Sequence, residues 1–225
     1  MPSSVFDHRR LRLLIGIIAF LLPLVVDIVA ADELVSISAS YHTEARDVFV
    51  GLLFVIAALM ASYRGHSRIE SVASRAAAAA TVCIALFPAA GPTTQSGWES
   101  HFHDLCALVL FSILAYFCLG PFRRRTQGHS GKKGRRARIY LVCGCIILAV
   151  MLGLGTATWA LPEDTVGAYE MTYWAELVAL WAFGTAWITA GKVLPFLVDA
   201  DEAWYPSSGF FLLERRRIAP NYTSS

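Results

Sequence analysis

The sequence predicts an all-α protein, a polytopic membrane helical bundle of six transmembrane helices with the N-terminus and the C-terminus both inside. Of the 225 residues, 56% are hydrophobic and 16% are charged, and the mean hydropathy is +0.53. Soluble proteins carry about 25% charged residues. Of the 19 Lys and Arg residues, all except Arg46 lie in or beside alternate connections between apolar segments. The positive-inside rule assigns those connections to the cytoplasm.

A helix needs about 20 apolar residues to cross the hydrocarbon core of a bilayer. Six such helices leave no room for a separate soluble domain, so we predict a six-helix transmembrane domain at 1–198 and a cytoplasmic tail at 199–225. In the tail, the stretch FFLLERRR at 210–217 indicates a short interfacial anchor on the inner leaflet. The predicted helices lie at 11–31, 47–63, 74–90, 102–122, 139–161 and 171–195.

The first three segments differ in character. The first has the basic start of a signal peptide, but its apolar run continues for about 20 residues with no clear cleavage motif before Asp32, so we interpret it as a retained helix. The second has 17 residues, which is near the lower limit for a span. The third contains five consecutive alanines at 76–80. Small residues allow backbones to approach closely, so we place this helix in the centre of the bundle.

The last three segments carry packing and interface signals. The fourth follows the stretch ESHFHD at 99–104. The fifth contains Gly144, Gly153 and Gly155, which predict a close crossing with a neighbouring helix. Aromatic residues that are typical of an interfacial belt lie before the sixth segment and in its first turn. The belt residues are Trp159, Tyr169, Tyr173 and Trp174.

The predicted outer side is acidic. Eleven of the 17 carboxylates lie in outer loops or at outer helix ends, so the net charge of +2 conceals an unequal distribution. Acidic residues contribute little to membrane orientation, and their clustering suggests that a ligand meets the protein from outside. The eleven are Asp27, Asp32, Glu33, Glu44, Asp47, Glu99, Asp104, Glu163, Asp164, Glu170 and Glu176.

Four residues are candidates for ligand binding. Asp27, like Glu176, lies inside a predicted span, where an ionisable group is costly and usually faces the bundle interior or a water-filled cavity. Tyr173 lies three residues before Glu176 and shares its helix face. Asp47 is favoured in the first turn of its helix by the dipole. Arg46 is expected either to pair with an acidic neighbour or to recognise an anionic headgroup.

Three histidines are candidate metal ligands, namely His42, His101 and His103. Together with a carboxylate they could hold a catalytic zinc, which uses three protein ligands and a water. Asp104 or Glu176 would then act as the catalytic base. The spacing predicts that His101 and Asp104 face the same way and that His103 points elsewhere. Loop histidines paired with acidic neighbours, or a pH sensor, are the alternatives.

The partners expected from composition are lipids. The basic stretch at 123–138 is a cytoplasmic loop that could bind anionic inner-leaflet lipids, and no nucleic-acid role is needed to explain it. The five cysteines all lie in apolar segments, which favours buried small side chains over disulfides. We therefore expect a multi-pass protein of the cell membrane.

The stretch SISASYHTEARDVFVGLLFVIAALMASYRG at 36–65 resembles a segment of an uncharacterised family of bacterial multi-spanning membrane proteins. The likeness extends through LFP at 86–88 to HFHDLCALVLFSILAYFCL at 101–119, and it implies no activity. It is carried by Ser38, Tyr41, Thr43, Arg46, Asp47, Gly51, Tyr63, Arg64 and Gly65.

More distantly, the chain is similar to the membrane hydrolases that include alkaline ceramidases and the progestin/adipoQ receptors. Those proteins hold zinc with a Ser, an Asp and three His. The likeness implies such parts for the Ser-rich segment, for Asp47 and for His101 or His103. Members have a paired-histidine motif in the last helix, whereas the sixth helix here has no histidine and offers Glu176.

Two classes of function follow from these observations. The first is an integral membrane protein with an outward-facing acidic and histidine-containing pocket for a small or lipidic ligand. The alternative is a zinc-dependent membrane hydrolase of lipid amides or esters. A transporter is a third class, but the chain shows no clear inverted repeat and no matching pair of broken helices.

Overall fold

A computed structural model describes residues 8–31, 33–90, 97–168 and 170–199. Within these ranges the regular structure is entirely helical. Short 3₁₀ turns occur at Ser38–His42 and Pro195–Leu197, and a π-helical turn at Cys118–Phe122. The helices are α1 at His8–Val29, α2 at Arg46–Ser62, α3 at Arg68–Leu86, α4 at Trp98–Phe117, α5 at Gly131–Ala160, α6 at Glu163–Ala168 and α7 at Met171–Ala190.

The six long helices correspond to the six predicted segments. Helices α3 and α5 begin several residues before the apolar segments at 74–90 and 139–161, because Lys and Arg are good helix formers and the apolar pattern marks only the part suited to lipid. Four helices are long and apolar enough to cross a membrane, namely α1, α3, α5 and α4 with its π-helical turn. Helix α2 has only 17 residues. The predicted tail anchor and Tyr169 lie outside the described residues.

The long helices form a closed ring. Each of α1 to α5 packs against the next long helix in the chain, and α7 closes the ring by packing against α5 and α1. Five of the six helices surround the centre, whereas α5 lies outside against α4 and α7. Helix α5 is accordingly the least buried of the candidate spans.

Polar contacts define one end of the ring. Arg12 of α1 donates to the carbonyl oxygen of Ala190 in α7 at 3.0 Å. Arg125, which follows α4, forms a salt bridge with Glu70 near the start of α3. We call this the basic end. Here α1, α3 and α5 begin, and α2, α4 and α7 end.

The opposite end carries the acidic groups. Ser38, between α1 and α2, donates to Glu176 of α7. His103 of α4 bonds the carbonyl of Phe87, which follows α3. We call this the acidic end. All six long helices therefore run between the same two ends of the bundle.

The start of α3 is a capping box. Ser67 is the N-cap residue, and its Oγ accepts a hydrogen bond from the backbone N–H of Glu70 at 3.1 Å. The Glu70 carboxylate also accepts from the backbone N–H of His66 at 3.0 Å and pairs with Arg125. Glu70 is only 5% exposed, and its buried negative charge is thus paired with a positive one. The box connects α3 to the segment after α4.

An aromatic cluster fills the bundle near the basic end. The Trp187 ring is surrounded by Tyr63, Phe117 and Phe122, with ring centroids 5.3, 5.5 and 5.4 Å away. The Arg12 guanidinium carbon lies 5.5 Å from the Tyr63 ring centroid and 5.7 Å from that of Phe122. The arginine is therefore held by cation–π contacts as well as by the end of α7.

The first turns of α5 are held by the segment after α7. Lys132 donates to the carbonyls of Pro195 and Val198 at 2.9 and 2.8 Å. Arg136, buried to 1% exposure, donates to the carbonyl of Leu197 at 3.0 Å. Part of the basic stretch at 123–138 is therefore helical and contacts protein rather than forming a loop.

The alanine run at 76–80 faces two ways. Ala77, Ala78 and Ala80 are buried, whereas Ala76 and Ala79 are exposed. One face of α3 lies in the bundle as predicted, and the other points outward. The small residues therefore serve one interface rather than a helix enclosed on all sides.

The glycine prediction for α5 is confirmed at one position only. A Cβ at Gly144 would lie 2.5 Å from Leu119 Cγ and 3.1 Å from Cys118 Cβ, so the π-helical turn packs directly on the α5 backbone. That turn contains Pro121, whose missing N–H disrupts the α-helical ladder. Gly153 and Gly155 meet no atom within 4 Å.

The closest helix crossing lies elsewhere, between α1 and α7. A Cβ on Gly16 would lie 2.7 Å from the backbone nitrogen of Ile188 and 2.9 Å from the carbonyl oxygen of Gly184. A Cβ on Gly184 would lie 2.9 Å from the carbonyl oxygen of Gly16. Only hydrogen fits on either residue, because the obstacles are backbone atoms. This pair fixes how the first and last long helices meet.

We expect Gly16→Ala to destabilise the protein by about 1–3 kcal/mol, because the added methyl group forces the two backbones apart. Thermal unfolding of the purified protein in detergent measures the effect. Gly153→Ala is the matched control, because it adds a methyl group where nothing lies within 4 Å. It is expected to be neutral or slightly stabilising. Equal Tm values for the two variants would contradict the close crossing.

Candidate functional site

The α1–α7 crossing aligns the acidic groups of these helices. Asp27 lies eleven residues after Gly16, and Tyr173 lies eleven residues before Gly184. Because the helices are antiparallel, equal spacings from the crossing bring these side chains together. The Tyr173 hydroxyl donates to an Asp27 carboxylate oxygen at 3.2 Å. The structure thus joins two of the predicted ligand-binding residues into one pair on the bundle surface.

Glu176 lies one turn deeper than Tyr173. Its Oε1 accepts from the Ser38 hydroxyl at 2.8 Å, and its Oε2 accepts from the Ser38 backbone N–H at 3.1 Å. Both donors come from the 3₁₀ turn at Ser38–His42, so this turn folds over the start of α7. The backbone of Ile37 also bonds this carboxylate, and because each carboxylate oxygen has two lone pairs the group can accept a further hydrogen bond.

An apolar cavity of about 50 Å³ lies beneath Glu176. A space of that size exceeds the roughly 10–15 Å³ that one water needs, yet cavities with apolar walls stay dry. Its walls come from α1, α2, α3, α4 and α7. Besides Glu176 the only polar lining residues are Ser38 and Thr81; the apolar lining includes Leu22, Phe49, Leu53, Ile56, Ile84, Leu110, Phe111 and Phe183.

A second, open pocket of about 520 Å³ lies above Glu176 at the acidic end. Polar residues line it together with side chains of α4, α5 and α7. Glu176 and Ser38 line both this outer pocket and the inner cavity. The carboxylate therefore stands at the boundary between a polar entrance and an apolar interior. The polar lining residues of the outer pocket are Ser36, Ser38, His103, Asp104, Thr158, Thr172 and Glu176.

The structure separates two of the candidate metal ligands, because His103 is buried and His101 is exposed. His103 is buried to 2% exposure, and its Nδ1 bonds the carbonyl oxygen of Phe87 at 2.7 Å. If Nδ1 carries the proton that this bond requires, Nε2 is an acceptor. His101 is exposed and lines neither the outer pocket nor the inner cavity. Because α4 already begins at Trp98, helical geometry applies to both, and it is His103 that turns inward beside Asp104.

The remaining candidates lie apart from Glu176. His42 is exposed, and its Nε2 bonds the Ala89 carbonyl at 2.9 Å. Arg46 bonds the Tyr41 hydroxyl at 3.0 Å and stacks over the Tyr41 ring, 4.5 Å from its centroid. Among the described residues its recorded partner is thus an aromatic ring and not a carboxylate. Asp47 is exposed in the first turn of α2 and lines neither cavity.

The predicted zinc ligands do not converge in the part of the chain that the structure describes. No group of three His, Cys, Asp or Glu side chains in that part is arranged to hold a metal ion. His42 and His101 are held on different helices or turns, and neither lines the outer pocket with His103. Of the predicted zinc ligands and bases, His103, Asp104 and Glu176 share the outer pocket. The five cysteines are free thiols; Cys106, Cys118 and Cys143 are buried, whereas Cys145 is exposed.

Two features of the site were not predicted from the sequence. Ser38 was noted only within a resemblance, because a serine in a short 3₁₀ turn gives no local signal for the helix it contacts. The inner cavity is also new, because its walls come from five helices. The intramembrane position of Glu176 was the only signal that pointed to either of them.

We expect Ser38→Ala to lower stability by about 1.5–3 kcal/mol, because it removes one hydrogen bond to the Glu176 carboxylate. Thermal unfolding in detergent measures this change. Ser112→Ala is the matched control, because Ser112 is exposed and donates only within its own helix, to Leu108 at 2.7 Å. A control variant as unstable as Ser38→Ala would contradict a specific role for Ser38.

Comparison with known proteins identifies no relative of this chain. No family model, curated protein or solved structure matches the sequence.

Proposed function

We propose that this is a multi-pass protein of the cell membrane that binds a small amphipathic ligand at its outer face. The observation that carries the proposal is the position of Glu176 between the outer pocket and the inner cavity. A ligand that enters from outside would place its polar group at the carboxylate and its apolar part below it.

The hydrogen-bonding groups at Glu176 determine which polar group a ligand needs. Both Glu176 oxygens are acceptors, and Ser38 supplies one donor to each. A ligand must therefore offer a hydrogen-bond donor, such as an ammonium, a hydroxyl or an amide N–H. An ammonium group adds charge complementarity, and charge-assisted hydrogen bonds are roughly twice as strong as neutral ones. A carboxylate ligand would be repelled by Glu176 and Asp104.

The lining and the volume of the inner cavity determine which apolar group of a ligand would fit there. Its walls are mainly aliphatic and aromatic, and its volume of about 50 Å³ suits a short alkyl segment. Apolar groups that enter such a pocket gain about 25 cal/mol for each Å² removed from water. We therefore favour a primary amine or amino alcohol with a short alkyl chain.

The proposal includes six spans with both termini in the cytoplasm. It is supported by the six long helices, each of which runs from one of the two ends of the bundle to the other, in alternating directions. Helix α2, with 17 residues, has a length of about 25 Å and lies within the range used by short spans. The separation of charge between the two ends supports the orientation.

We expect a reporter fused after Ser225 to be cytoplasmic and a tag inserted at 92–96 to be accessible from outside. The reason is that Arg215, Arg216 and Arg217 lie close to the first location, whereas the connection at 91–97 contains no Lys or Arg. Protease protection and membrane-impermeant labelling of intact cells measure both. A tag at 92–96 that becomes accessible only after the cells are permeabilised would overturn the six-span topology.

We expect octylamine to bind the purified protein and Glu176→Gln to weaken that binding about tenfold or more. One charge-assisted hydrogen bond contributes about 1.5–3 kcal/mol, which corresponds to such a factor. Isothermal titration calorimetry in detergent measures the Kd. Octanoate, which has the same chain and the opposite charge, is expected to bind much more weakly.

The matched control is Glu99→Gln, which removes an exposed carboxylate in the first turn of α4. It is expected to change the Kd for octylamine by less than about twofold, since exposed charges contribute little. Two results would contradict the proposal. One is equal affinity for octylamine and octanoate, and the other is binding that Glu176→Gln leaves unchanged.

The zinc hydrolase is the alternative that the same experiments separate. It draws support from His103 and Asp104, which share the outer pocket with Glu176. A zinc enzyme would be purified with near-stoichiometric metal, and His103→Ala would remove it. Octylamine binding that persists in excess chelator, in protein without zinc, favours the binding protein over the hydrolase.

A further inference from the structure

An apolar groove of about 540 Å³ runs along the outer surface between α5 and α7. Phe20 of α1 forms its floor with Trp181 of α7, and the two rings stack with centroids 5.3 Å apart. The Trp181 indole N–H donates to the Phe20 carbonyl at 3.2 Å, which holds the ring in place. The wall from α5 consists of Arg138, Ile139, Val142, Cys143 and Ile146.

The groove has one charged end. Arg138 is the only charged residue that lines it, and it lies at the end nearest the start of α5. Its side chain is exposed. Among the described residues the structure records no carboxylate paired with this guanidinium. A positive charge is thus presented at the end of a groove whose other lining residues are apolar except for Thr185.

The length of α5 places this charge at the membrane surface. Helix α5 has 30 residues and is about 45 Å long, whereas the hydrocarbon core is about 30 Å thick. If the end at Ala160 lies near the outer boundary, about ten residues extend beyond the core at the basic end. Arg138 is the eighth residue of the helix and so lies at headgroup level.

The length of the groove along α5 is close to the thickness of the hydrocarbon part of one leaflet. From Arg138 to Ile146 the helix rises about 12 Å, close to half the thickness of the hydrocarbon core. A second shallow depression, of about 450 Å³, continues along α5 and α7 and shares Val178 with the first. An extended acyl chain, parallel to the helices, fits this shape.

We propose that the groove binds one anionic phospholipid of the leaflet at the basic end. Its phosphate contacts Arg138, and one acyl chain lies against Val142, Ile146 and Trp181. A planar guanidinium binds phosphate oxygens in a bidentate geometry, which explains the presence of arginine at this position. The site is separate from Glu176 and does not depend on the ligand proposed there.

The experiment is native mass spectrometry of the protein in detergent, titrated with phosphatidylglycerol and, separately, with phosphatidylcholine of the same chains. We expect one phosphatidylglycerol to bind preferentially. Arg138→Gln should weaken its binding about fivefold, the factor that one basic residue contributes at an anionic surface. It should also remove most of the preference over phosphatidylcholine.

Arg135→Gln is the charge-matched control. Arg135 is exposed on the same turns of α5 but does not line the groove, so the change should be less than about twofold. Equal losses for the two arginines would indicate general attraction to basic protein and would overturn the site.

A second pair of variants tests the groove itself. Val142→Trp fills the groove and should reduce the binding of both lipids. Leu152→Trp introduces the same indole side chain at an exposed α5 position outside both depressions, and it should leave the binding of both lipids unchanged. Unchanged phosphatidylglycerol binding by Val142→Trp would place the lipid elsewhere. Folded yield of each variant, measured by size-exclusion chromatography, separates lost binding from lost structure.

Discussion

The contact between Gly16 and Gly184 determines the register on which the acidic end depends. Where the two glycines meet, the backbones of α1 and α7 touch, and neither helix can slide past the other without a clash. The antiparallel alignment then pairs Asp27 with Tyr173 at one side of the crossing and Arg12 with the end of α7 at the other. It also brings the turn after α1 over the start of α7, where Ser38 meets the carboxylate of Glu176. A shift of one residue would turn these side chains by about 100° and separate every one of these pairs.

Much of the fold was accessible from the sequence because hydropathy and charge are local properties. Each of the six long helices overlaps its predicted segment, and the basic residues gather at one end of the bundle as expected. The extra turns of α3 and α5 were missed because charged residues that form helices well give no apolar signal. The capping box of Ser67 and Glu70 has a recognisable spacing, yet its salt bridge to Arg125 joins residues 55 positions apart. Such a pairing depends on tertiary structure that no local pattern records.

The candidate site was predicted less completely, and the reasons differ between residues. Glu176 was identified because an ionisable group inside a span needs a partner. The sequence left His101 and His103 as alternatives because the predicted helix began at 102, whereas α4 begins at Trp98 and fixes the direction of both side chains. The three histidines lie near predicted outer helix ends, which suggested a common metal site. In the structure, the rings of His42 and His103 bond different backbone carbonyls. The boundary position of Glu176 favours the proposed small amphiphile over a zinc ion at this end.

The unequal lengths of α2 and α5 have a consequence for the surrounding bilayer. These helices lie on opposite sides of the ring, one about 25 Å long and the other about 45 Å. If α2 spans the membrane as proposed, the lipids beside it meet an apolar surface shorter than the hydrocarbon core, and the bilayer thins locally at a cost of a fraction of a kcal/mol for each Å of mismatch. On the other side, the first eight residues of α5 include five Lys and Arg and extend beyond the core, so the apolar remainder of this helix matches the ordinary membrane thickness. The protein would then sit in a wedge-shaped region of the bilayer and be favoured by thin or curved membranes. Water would reach deepest beside α2, where the 3₁₀ turn that holds Glu176 begins.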